Sequence, residues 1–90
     1  MTQLEASELQ RLDNLVNRMV ARRMALGMVI EDLLMAVVDV LDQPEDLKLI
    51  TAVHAQLAAK QQLDAVIKTR IDALRPRLAE LQALRLGLTF

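Results

Sequence analysis

The sequence predicts an all-α fold: a long antiparallel helical hairpin of coiled-coil character that pairs into a helical bundle. Eighteen leucines and twelve alanines among 90 residues supply strong helix formers, whereas two glycines and two prolines leave little material for the turns of a sheet. Apolar residues recur at alternating spacings of three and four along nearly the whole chain. One proline-bearing break, near residue 44, divides that pattern into two arms of similar length.

The first arm opens at Thr2-Gln3-Leu4-Glu5, the spacing of a capping box, in which a threonine hydroxyl and a glutamate carboxylate satisfy each other's free amides. From there Leu9, Leu12, Val16, Met19, Arg23, Leu26, Ile30, Leu33, Val37 and Val40 form a heptad seam with one polar member, Arg23. Helix one is therefore expected over about 3–42, with Gly27 marking a bend or a break. At Asp42-Gln43-Pro44-Glu45 the proline and the Asp42-to-Glu45 spacing read as the end of one helix and the capped start of the next, so the turn is placed at about 42–45.

Helix two is expected over about 45–88. Its seam runs Ile50, Val53, Leu57, Lys60, Asp64, Ile67, Ile71, Leu74, Leu78, Leu81, Arg85 and Leu88. Pro76 lacks an amide donor and crowds the preceding turn, which places a kink nearby. Because Ile71, Leu74, Leu78 and Leu81 keep phase across it, one kinked helix is expected rather than two. Arms of this length extend about 60 Å at 1.5 Å per residue. All 90 residues form a single helical domain, since a chain this short buries only about 60–65% of its unfolded surface and cannot divide a core.

The apolar content, 53%, exceeds what one seam uses. Met24, Met28, Met35 and Val38 fall behind the first seam, and Leu34 and Leu41 widen it. A helix apolar nearly all round is expected to be buried on more than one side. Met24, Met28, Leu34, Met35, Val38 and Leu41 are therefore the predicted partner-binding residues. The partner is a second copy forming a homodimer, a helix of another protein, or both; methionine's flexible thioether suits either. Helix two carries a quieter stripe, with Ala52, Ala59, Val66 and Ala73 at intervals of seven.

If the hairpin closes about residue 45, Arg23 faces Ile67, Leu26 faces Asp64 and Ile30 faces Lys60. Arg23, Lys60 and Asp64 then form a polar layer in the seam that fixes register. Arg18, Arg22, Lys68 and Arg70 lie close by, a cluster that would also suit an anion.

Formal net charge is −1. It divides unevenly: residues 1–43 carry four basic and seven acidic groups, or −3, and residues 44–90 carry seven and five, or +2. With no overall basic excess, and Phe90 the only aromatic residue, a nucleic-acid partner is not expected. The longest apolar stretch, 28–41, contains Glu31, Asp32 and Asp39 and is too short to span a bilayer. Glu5, Glu8 and Asp13 stand where a signal peptide needs a basic and then an apolar segment, so cytoplasmic residence is the expectation. The chain has no cysteine, no glycine-rich phosphate loop and a single histidine, His54. No catalytic residue, metal site or cofactor is implied.

One enzyme-like pattern is present. Leu12-Asp13 followed by Met19-Val20-Ala21-Arg22-Arg23-Met24-Ala25-Leu26 resembles the first helix of the helical chorismate mutases, small all-α dimers whose arginines hold a dicarboxylate. The likeness covers about fifteen residues. It implies that Arg11 and Arg23 match the first-helix arginines, with Arg23 near the active-site position. The family's next lysine falls at Leu34, and the acidic and arginine pair of its second helix has no counterpart. By residue chemistry the expected function is non-catalytic: an adaptor, assembly chaperone or inhibitor acting through helix packing. Its size and shape are similar to those of small helical chaperones of bacterial secretion and phage assembly, a likeness of architecture alone.

Overall fold

The computed structural model describes residues 1–87 and contains two helices, α1 (Gln3–Val40) and α2 (Leu47–Arg85), folded back on each other as a hairpin. It measures 63 × 19 × 15 Å, and its radius of gyration is 19.7 Å, against about 12 Å for a compact domain of this length. The shape is a two-helix rod rather than a globule.

Both helices begin on side-chain caps. The Thr2 amide donates to Glu5 Oε1 at 2.9 Å and the Glu5 amide donates to Thr2 Oγ1 at 3.1 Å, a complete capping box. The bond with Thr2 also holds the Glu5 carboxyl below its ordinary range. The start of α2 differs from the sequence expectation. Its cap is Asp46, whose Oδ1 accepts from the Leu49 amide at 3.0 Å, rather than Asp42. Pro44 consequently lies in the turn and not in the first helical turn. The connection runs from 41 to 46, not 42–45, and α1 ends two residues before 42. The amides of Leu41, Asp42 and Gln43 each donate three residues back, tightening the chain out of α1 ahead of Pro44. At the other end α2 stops at Arg85 rather than at 88, where Gly87 takes a positive φ of 76°. Leu88, assigned to the seam from sequence, lies outside the described residues.

Neither Gly27 nor Pro76 ends a helix: α1 and α2 run through them. Around Pro76 the packing stays in phase, with Ile71, Leu78 and Leu81 buried and Leu74 half-buried. On α1 every seam position from Leu9 to Val40 is buried or half-buried; on α2 every one from Ile50 to Leu81 is. Arg85 is exposed because the helix ends there.

Burial is not uniform along the rod. Leu9, Leu12, Val16, Ile71, Leu78 and Leu81 make one buried cluster near the chain ends, with Met19, Val20, Ile67 and Leu74 packed on it. Leu81 has no exposed surface. Toward the turn, seam residues from Met19 to Val37 and from Ile50 to Ile67 are only half-buried, and Val40 alone is buried there. Two helices touch along a line, so wherever the flanks lack a third helix the seam stays open to water from both sides.

Candidate helix-docking face

Every side chain predicted for partner binding is exposed in the hairpin. Exposure runs from 46% for Leu34 to 70% for Met24 and Leu41, with Met28, Met35 and Val38 between. The heptad explains their common placement. Val20, Gly27, Leu34 and Leu41 recur at seven beside the seam, Met24 and Val38 stand one ridge further round, and Met28 and Met35 one further still. Together they cover one flank and the back of the turn-side half of α1, broken only by Glu31.

That flank adjoins a groove between the helices of about 370 Å³, whose apolar wall is Val20, Met24, Gly27 and Ile71 and whose charged wall includes Arg23, Asp64 and Arg75. A Cβ placed on Gly27 would meet nothing within 4 Å, so the glycine is not demanded by packing inside the hairpin.

Within the groove Arg23 Nε donates to Asp64 Oδ1 at 2.9 Å and its Nη2 to Oδ2 at 3.4 Å. The bond to Asp64 pushes the guanidinium pKa above its already high value, so Arg23 is a fixed cation. Arg23 faces Asp64 rather than Ile67. Residues at one level have numbers adding to about 87, not 90, because the turn centres between 41 and 46. Lys60, placed with them from sequence, is half-buried one turn nearer the loop and forms no ion pair among the described residues.

The corrected register brings in a pair that sequence reasoning missed. Arg77 donates to both Glu8 oxygens, at 2.6 Å through Nη2, and Nη1 also approaches Glu80 at 3.0 Å. The Arg77 bond holds the Glu8 carboxyl below its ordinary range. A closure centred near residue 43 would have matched these two residues; one centred on 45 displaced them by a turn. Lys68 pairs with Asp72 at 2.7 Å and draws that carboxyl down in the same way.

The basic cluster foreseen around Arg18, Arg22, Lys68 and Arg70 does not share one face. Arg22 lies two heptads from Glu8 and Arg70 one heptad from Arg77, which puts both on the side of the Glu8–Arg77 pair. Lys68 is one heptad from Arg75 and stands on the groove side. Arg11, which the chorismate mutase resemblance pairs with Arg23, is exposed three turns away, and Leu34 is exposed as well.

Exposed apolar residues not foreseen as surface include Leu4 and Val29 on α1 and Leu47, Leu49, Leu63 and Leu84 on α2, whereas Val66, in the stripe read on helix two, is exposed as that stripe implies. Among the described residues no three of His, Cys, Asp and Glu are grouped to hold a metal ion, and no helix is long and apolar enough to cross a membrane. Compared with known proteins, the chain matches no family model, no curated protein and no solved structure.

Proposed function

We propose that this chain is a non-catalytic protein–protein interaction module of the cytoplasm, an adaptor, assembly chaperone or inhibitor that works by packing its hairpin against other helices. The observation that carries the reading is the apolar flank of α1 and its cap, from Met24 to Leu41, interrupted only by Glu31 and exposed beside a seam that its own partner helix only half covers. Soluble chains seldom present so long an apolar face without a use for it, and helix-in-groove recognition is the mode its spacing fits. Methionines at 24, 28 and 35 favour partners of irregular shape, because the unbranched thioether repacks easily. Arg23, the residue that a catalytic reading would give to an anionic substrate, already donates to both oxygens of Asp64, which supports association over catalysis. In this reading Arg23 and Asp64 hold the register of the hairpin, and Lys60 adds a polar position to the same layer.

Photo-crosslinking in the cell of origin tests this without knowledge of the partner. A crosslinking side chain at Met28 or Met35 should capture protein, whereas one at Arg18 or Asp32, exposed on the polar side of α1, should not. Equal capture from both sets, or none from either, refutes the proposal.

A further inference from the structure

Resting on the interaction reading, we propose that the apolar flank is covered by a second copy of the chain. The two copies lie groove to groove with their turns pointing the same way, so that α1 of each packs on α2 of the other and a four-helix bundle closes about a twofold axis along the rod.

Surface area is the first support. A chain of 10.1 kDa that closes its own core exposes about 5,300 Å² by the usual scaling with mass. The hairpin exposes 6776 Å². The surplus is roughly 1,500 Å², above the approximately 800 Å² that each partner contributes to a stable interface. One further copy is enough to take it up.

Charge and side-chain size select the arrangement. A twofold axis along the rod keeps levels matched, so each residue of α1 meets the second copy at the height of its own α2 neighbour. The half of the chain holding α1 carries −3 and the half holding α2 carries +2, so crossing them pairs unlike charge. Arg75 lines the groove, and Asp13, one heptad before the groove residue Val20, stands on the same side at about its level, in the depression that continues toward the chain ends; neither forms an ion pair within the hairpin among the described residues. In the dimer Asp13 meets Arg75 of the second copy, twice by symmetry. Near the level of Met24 the facing helix presents Ala65, small enough to admit the larger side chain; Ala58, two turns nearer the loop, leaves similar room near Glu31. Each helix also gains a second antiparallel neighbour, as in an up-and-down bundle.

The alternatives fit worse. Stacking through the opposite broad face sets Arg18 and Arg22 against Arg70 of the second copy, all exposed cations. Turning one copy end over end lays α1 on α1, which brings Glu31 to Glu31 where the apolar flanks overlap best.

The test is the mass of the full chain by sedimentation equilibrium at low salt, with helicity checked by circular dichroism. Wild type should have twice 10.1 kDa at tens of micromolar. Asp13→Arg places two guanidinium groups at each of the symmetric contacts, and Arg75→Asp places two carboxylates there, so each change alone should weaken association at least about tenfold. Mixing the two variants restores opposite charges at both contacts of the heterodimer and should restore the mass. A wild type that stays monomeric to about a millimolar overturns the second copy as occupant and leaves the interaction reading to its own crosslinking test. A dimer indifferent to both variants, or one that mixing fails to rescue, overturns the crossed arrangement.

Discussion

Truncating Leu81 should show how unevenly this hairpin is held together. Leu81 is the largest side chain with no exposed surface, and it lies in the one buried cluster, with Leu9, Leu12, Val16, Ile71 and Leu78. Leu81→Ala removes three buried carbons and leaves a void. Core Leu-to-Ala changes cost about 2–5 kcal/mol, and a two-helix layer open at its flanks relaxes more readily than a globular core, which places the loss near 3 kcal/mol. For a chain of this size each kcal/mol moves Tm by about 4–8 °C, so a fall of roughly 12–24 °C is expected. Total stability for 90 residues is on the order of 5–13 kcal/mol, so this one change removes a large share. The assay is thermal melting by circular dichroism at matched protomer concentration, with Met28→Ala as the comparator. Met28 is 69% exposed, and its truncation should stay within about 0.5 kcal/mol in the dissociated hairpin. A fall below about 5 °C for Leu81→Ala, or equal falls for the two variants, would refute the reasoning that stability is concentrated near the chain ends.

Three further outcomes follow from the same geometry. Asp46→Ala should cost about 1 kcal/mol in urea unfolding by freeing the Leu49 amide, while Asp42→Ala should cost almost nothing; a larger loss at Asp42 would return the cap to that residue. Pro76→Ala should raise Tm, because α2 runs through this exposed position and alanine restores the missing donor and lifts a penalty of up to about 3 kcal/mol; a fall in Tm would show that the proline is required by packing. Arg77 holds the Glu8 carboxyl below its ordinary 4.5, so the unfolded chain binds that proton more readily than the folded one. The resulting stability is complete above pH 4.5 and is lost as the pH falls through the lower folded value. Glu8→Gln should therefore flatten the acid side of a plot of Tm against pH, and an unchanged acid side contradicts the pair's role.

The heptads carried most of the fold. Positions from Leu9 to Val40 and from Ile50 to Leu81 are the ones the hairpin covers, and the capping box at Thr2 and Glu5 forms as its spacing requires. The turn was harder to read because Asp42 and Asp46 both present a carboxylate ahead of a helix, and only backbone geometry decides which one reaches an amide. That choice moved the register by about three, which is why Arg23 faces Asp64 and why the Glu8–Arg77 pair went unseen. On the functional face, periodicity located the apolar excess of α1, where large side chains repeat at seven. It passed over Leu47, Leu49 and Leu63, because on α2 alanines and charged residues separate the exposed apolar side chains. Spacing also says nothing of what covers a face, since a leucine stripe reads alike whether a second copy or another protein packs on it.

Methionine oxidation tests most directly whether that face is covered, because the reporters are already in place. In the lone hairpin Met24, Met28 and Met35 are 64–70% exposed, at least as open as the terminal Met1 at 51%. Peroxide treatment of the protein in its native setting, read by mass spectrometry at each methionine, compares them against Met1 in one sample. Coverage of the flank predicts oxidation several-fold slower at Met24 than at Met1, with smaller protection at Met28 and Met35 toward the back of α1. Oxidation of all three at the rate of Met1 would mean that the face stays in water, and would contradict the account at its centre.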